Sequence, residues 1–162
     1  MDFSLSRLVN ILGYLGLFPF LLPSAVMLHG VFFGQGLHSA SIFGFYAPYV
    51  FIAYSGVILS FLTGTLWSQA RASEEISLAK SAIVFSNLLA LVVWLCLLII
   101  YISPQFTMLA VGLLMAGFLS LLYLESCLAV GADQDYRSMR TSLTAIVCLA
   151  HLVVMVLMLM EH

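Results

Sequence analysis

The sequence predicts an all-α fold: a polytopic membrane protein built as a bundle of five transmembrane helices with short loops. Composition is the first reason. Of 162 residues, 64% are hydrophobic and 7% charged, with a mean hydropathy of +1.17. Soluble domains carry about 25% charge, so lipid must cover much of this surface. The second reason is five apolar runs, each long enough at about 1.5 Å per residue to cross a core of about 30 Å. The third is that all five basic residues fall on one side of those runs. A chain of this length has room for one compact membrane domain, residues 1–162. Its formal charge of −2 gives nucleic acid no footing, and the bilayer is the expected surroundings.

Segment one spans about 8–33, with Pro19 and Pro23 inside it. Proline frees a carbonyl and kinks the axis, which a membrane helix tolerates when neighbours compensate. The run outlasts the core of a signal peptide and has no small-residue cleavage site after its first half, so it reads as a retained helix. Residues 34–44, GQGLHSASIFG, are turn formers and read as a loop. Segment two, about 46–70, is entered through Pro48, with Phe45, Tyr46, Tyr49 and Phe51 as an interfacial aromatic belt. The charged stretch 71–78, RASEEISL, reads as a loop. Segment three, about 79–101, stops at Ser103-Pro104. Segment four covers about 106–128, the polar stretch 131–140 is read as a loop, and segment five covers about 141–160.

Charge fixes the orientation. Arg7 precedes segment one, Arg71 and Lys80 flank the loop between segments two and three, and Arg137 and Arg140 precede segment five. By the positive-inside rule this side is cytoplasmic. The expected location is the inner membrane, with the N-terminus in the cytoplasm and the C-terminus outside.

Within segment two, Gly56, Ser60, Gly64 and Ser68 recur at every fourth residue, with Trp67 beside them. Apolar burial gives helices little reason to associate in lipid, so a stripe of small side chains that admits another backbone is the expected packing surface.

Ionisable and polar groups inside the spans are the candidates for function. His151 lies about 15 Å along its helix from Thr141, near mid-membrane, where an ionisable side chain is expensive. The structural reading is a neutral ring sharing one hydrogen bond, with Ser60 at similar depth as a partner. Toward the cytoplasmic face, Asn10, Gln69, Asn87 and Glu125 come from four segments, and Tyr136, Arg137 and Arg140 approach the same level. They read either as inter-helix hydrogen bonds or as a polar vestibule for a small ligand, a lipid headgroup or a proton. Glu125 is expected to be ionised and paired with Arg140, with Arg137 as the second choice.

No cofactor or metal is expected. Haem needs axial ligands at matching depth, and His29 and His38 belong to the outer end. Histidine boxes and nucleophile or phosphate-binding motifs are absent from the sequence. Cys96, Cys127 and Cys148 have neither zinc nor disulfide spacing and read as small apolar side chains.

Four stretches carry a family resemblance: GYLGLFPF (13–20), AYSGVILSFLTGTLW (53–67), GFLSLLYLE (117–125) and YRSMRTSLT (136–144). Together they resemble the bacterial and mitochondrial membrane family known as domain of unknown function 3429, over nearly the whole chain. The resemblance implies a small polytopic inner-membrane protein and no particular activity. Family members often have histidine before the segment-two tryptophan, where this chain has Leu66, and aspartate after the segment-four tyrosine, where Tyr123 is followed by Leu124 and Glu125.

These readings point away from an enzyme. The expected function is an accessory or assembly factor that packs against other membrane proteins or further copies of itself. The alternative is a small transporter or ligand-binding membrane protein that uses the inner polar groups.

Overall fold

A computed structural model describes residues 3–34, 36–128 and 134–161. Six α-helices follow one another: α1 (Phe3–Leu15), α2 (Phe18–Phe33), α3 (Ala47–Ala72), α4 (Ile76–Ile102), α5 (Thr107–Leu128) and α6 (Gln134–Met160). Taking Arg7–Phe33 as one span, five helical stretches are long and apolar enough to cross a membrane. The all-α, five-span fold class read from the sequence is the one observed. The chain divides into two compact units, residues 1–51 with 134–162, and residues 52–133.

In the first unit, the run expected as one kinked helix is two helices. Pro19 has no N–H to offer the carbonyl of Leu15, and its ring crowds that carbonyl, so α1 ends there. A tight turn bridges the gap: Gly16 N–H donates to Leu12 O at 3.0 Å, and Leu17 N–H to Tyr14 O at 3.1 Å. Pro19 then sits in the first turn of α2, where its missing donor costs nothing. Pro23 stays inside α2, and Ser24 Oγ one residue on donates to Phe20 O at 2.8 Å.

The loop expected at 34–44 is more ordered than its composition suggests. Gly34 and Gly36 both donate to Gly30 O at 3.1 Å, folding the chain back over the end of α2. After a 3-10 turn at Leu37–Ser39, strands β1 (Ser41–Ile42) and β2 (Phe45–Tyr46) pair antiparallel, Ser41 opposite Tyr46 and Ile42 opposite Phe45. The two connecting residues, Phe43 and Gly44, have φ of +51° and +83°, the double-positive pattern of a type I′ hairpin turn.

Helix α6 runs parallel to α1 and α2. A β-carbon on Gly13 would lie 3.1 Å from Leu143, Phe20 lies beside His151, and Gly36 lies beside Glu161. The helix begins at Gln134, so Tyr136, Arg137 and Arg140 are helical where a loop was expected. A helix already propagating adds a hydrogen bond with each residue fixed, and Asp135 in its first turn suits the positive end of the dipole. Residues 131–133 of that expected loop lie outside the described residues.

The second unit is regular. Its loop between α3 and α4 is Ser73–Glu75, shorter than the expected 71–78, and α4 and α5 pack side by side across the turn Pro104–Phe106. Glycines set the spacing of its helices. A β-carbon on Gly117 would come within 2.6 Å of Leu59 Cδ2, and one on Gly56 within 2.9 Å of Val93 Cγ1. Their hydrogens let α3 approach both α4 and α5.

Candidate functional site

His151 is fully buried near the middle of α6, in the first unit. Its Nδ1 stands 2.8 Å from the carbonyl oxygen of Val147, one turn earlier. A carbonyl only accepts, so Nδ1 carries the proton and donates, which in a neutral ring leaves Nε2 as an acceptor. Two phenylalanines enclose the imidazole. Phe51 meets it edge to face, with centroids 4.7 Å apart at 67°, and Phe20 lies at 6.1 Å and 47°. Phe20 and Phe51 also meet each other at 5.8 Å and 74°.

Both rings went unrecognised in the sequence as neighbours of His151. Phe51, which the sequence places in an interfacial belt, is instead 0% exposed. The signal that could have found Phe20 is its spacing: Phe20, Pro23, Ser24, Met27 and Gly30 mark a single buried face of α2. Ser60, considered as a partner for His151, is exposed.

The small-residue stripe of α3 needs correction. Gly56 is buried, but Ser60, Gly64 and Ser68 are exposed, and a β-carbon on Gly64 would meet nothing within 4 Å. The face that packs inside the chain is instead Ile52, Ser55, Gly56, Leu59, Thr63, Leu66 and Ala70. Geometry explains the difference. Residues advance about 100° each, so a strict four-residue repeat overshoots each turn by about 40° and swings about 120° over three steps. Alternating steps of three and four hold one direction. Thr63 spends its hydroxyl on Ser60 O at 2.7 Å, and Trp67 lies under the Arg71 guanidinium, which is 5.0 Å from the ring centroid.

The residues expected to form an inner vestibule are unequal. Asn10, Tyr136, Arg137 and Arg140 belong to the first unit; Gln69, Asn87 and Glu125 belong to the second. Glu125 and Arg140 are buried, while Gln69 and Tyr136 are half-buried. Asn10, Asn87 and Arg137 are exposed, and the Asn87 amide donates to Ile83 O at 2.8 Å on its own helix. With three of the seven exposed, Glu125 and Arg140 are the buried ionisable groups of the set, one in each unit. Leu66, where the family often has histidine, is fully buried. Among the described residues, no group of three histidine, cysteine, aspartate or glutamate side chains could hold a metal ion.

The family described as Protein of unknown function (DUF3429) matches residues 5–156. Comparison with curated proteins and with solved structures gave no match.

Proposed function

Since the chain belongs to the DUF3429 family, whose match covers most of its length, we propose that it is a non-enzymatic accessory protein of the inner membrane. In this reading it packs against other membrane proteins through a face of α3. The observation that carries the reading is the face its own helices leave uncovered: Ala53, Val57, Ser60, Gly64 and Ser68 are all exposed. Residues 60, 64 and 68 put only small side chains or none on that face, and the exposed Phe61 and Trp67 flank it. Close approach of backbones is what helix association in lipid exploits. The parallel course of the first and last spans supports termini on opposite sides, and the placement of the five basic residues favours a cytoplasmic N-terminus.

Purification in mild detergent with quantification of stoichiometric partners tests this. Gly64→Leu should release the partner while the thermal stability of the chain itself stays unchanged, and Ile58→Leu should release nothing. A partner retained in full by Gly64→Leu would refute the reading. One observation favours the second reading, a transporter or ligand-binding protein: Glu125 is buried within a span, where carboxylates are costly. Under that reading the purified protein carries a lipid or metabolite that Glu125→Gln loses.

A further inference from the structure

An exposed amide of the second unit lies at a depth where lipid tails are its surroundings. On α4, Lys80 suits one membrane interface and Tyr101 the other, and at about 1.5 Å per residue they stand about 30 Å apart, the thickness of the hydrocarbon core. Asn87 lies about 10 Å inside that span from Lys80, and it is exposed. Its Nδ2 donates to Ile83 O at 2.8 Å, on its own helix. A side-chain amide has two hydrogens to donate and an oxygen that accepts. Among the described residues nothing else bonds it, so one N–H and the carbonyl oxygen remain. Asparagine is too short to carry them back to water, as a lysine stem does for its ammonium.

The residues in line with Asn87 form a seam. Val84, Asn87, Leu91, Trp94 and Leu98 are all exposed and follow one another at alternating steps of three and four. Unlike the four-residue repeat of α3, that alternation drifts by only about 20° in seven residues. The buried line on the far side of α4 includes Val93, which meets Gly56 of α3, and Cys96, whose thiol donates to Ala110 O of α5 at 3.8 Å. The seam is therefore the side of α4 that its own unit leaves uncovered. Apolar residues at steps of three and four, interrupted by one asparagine, are the pattern by which two parallel helices pair, the asparagine fixing their register. Lipid tails offer an amide nothing, whereas interhelical amide bonds hold helices together in lipid. The spare N–H and carbonyl of Asn87 are one donor and one acceptor, which a second Asn87 matches in both directions. Copies of one chain enter the bilayer the same way round, so a two-fold axis along the membrane normal lays the seam against itself in register.

We propose that α4 is the seam of a parallel homodimer in which the Asn87 amides of two copies bond each other inside the hydrocarbon core. Each carbonyl oxygen accepts an N–H from the other amide, and the apolar residues of the seam pack above and below. The seam shares no residue with the α3 face, so the accessory reading stands or falls separately.

The full chain, carrying one fluorophore at its N-terminus and reconstituted in phosphatidylcholine vesicles at a series of protein-to-lipid ratios, tests this by single-molecule photobleaching. The unaltered chain should bleach in pairs. Asn87→Leu should weaken association about tenfold, which corresponds to about 1.4 kcal/mol, with its helical circular dichroism intact. Gly64→Leu, on the α3 face, should leave the dimer as it is. Oxidative cross-linking gives a second readout on a folded chain. Leu91→Cys should link to its own copy beyond the background that the native cysteines give in the unaltered chain, and Leu119→Cys, exposed on α5, should not. A monomer at every ratio, an Asn87→Leu chain that pairs as well as the unaltered one, or linkage at Leu119→Cys in place of Leu91→Cys would overturn the proposal. So would a different protein that co-purifies with the chain and is released by Asn87→Leu.

Discussion

In the first unit, side chains meet through large rings, with Phe51 edge to face against both Phe20 and His151; in the second, helices meet where side chains are missing, with Gly56 against Val93 and Gly117 against Leu59. The backbone follows the same division. The first unit contains a proline-driven helix break and a hairpin with two positive φ angles, whereas the second is three long helices joined by tight turns. Lipid tails are as apolar as leucine, so neither unit can rely on removing apolar surface from water. Rings provide many dispersion contacts at a longer reach, and glycines provide fewer contacts at closer range. The contrast predicts different responses to substitution: the ring cluster should suffer from truncation, the glycine contacts from enlargement.

Truncation should have the largest effect. Phe51→Ala would open a cavity beside Phe20 and His151, and such changes cost about 3–5 kcal/mol in well-packed cores. Thermal unfolding in detergent should show the loss, and Phe45→Ala, six residues earlier and exposed, should show almost none. Equal effects at both sites would mean that the rings are not a core.

Enlargement should come next. Gly117→Val places a side chain where even a β-carbon would lie 2.6 Å from the fully buried Leu59, and overpacking of this kind costs about 1–3 kcal/mol. Gly64→Val, with open space around it, should leave the isolated chain unchanged. If both substitutions are tolerated, glycine does not set the helix spacing of the second unit.

Much of this contrast was legible in the sequence, though unevenly. The five spans were readable because twenty or so apolar residues in a row have no other use in a chain so poor in charge. The helix break at Gly16–Leu17 was not, because a proline pair announces a kink without saying whether the helix resumes at once. The direction of the α3 face was misread because a four-residue repeat looks like a stripe in a linear sequence and becomes a slow spiral on a helix. His151 stood out as a lone ionisable group in an apolar run. Its two phenylalanine neighbours did not, because a phenylalanine in a chain this rich in them carries no signal until the helices are placed. The Gly36–Glu161 contact, which joins residues far apart in the chain, was invisible for the same reason.

A smaller effect should run in the opposite direction. Phe43 holds φ of +51°, in the left-handed region that costs an L-residue about 1–2 kcal/mol. Phe43→Gly relieves this but adds freedom to the unfolded chain, worth about 0.4–1 kcal/mol. The net expectation is a gain of about 0.5–1 kcal/mol, measured as a higher unfolding temperature. A loss would mean that the ring at the hairpin tip makes stabilising contacts of its own. No position in the second unit should respond in this way, because no described residue there has positive φ.

The smallest effect concerns protons, and it sharpens the contrast chemically. Tyr46 is half-buried, and burial first, then the charges of Tyr49 and Glu161, hold its phenol above the ordinary value of 10.0. In the unfolded chain the phenol ionises near that ordinary value, while in the folded protein it keeps its proton to higher pH. Between the two values the folded state binds more protons than the unfolded, so stability must fall as pH rises. The contribution is fully present below about pH 10, is lost as pH rises through the folded value, and levels off beyond it. Unfolding in detergent at a series of pH values from 8 to 11 should therefore show a decline that Tyr46→Phe makes shallower. Glu161→Gln should also make it shallower, by less, because the carboxylate is the least of the three causes. If Tyr46→Phe leaves the slope untouched, the phenol ionises freely in the folded protein, and neither burial nor the neighbouring charges hold its proton.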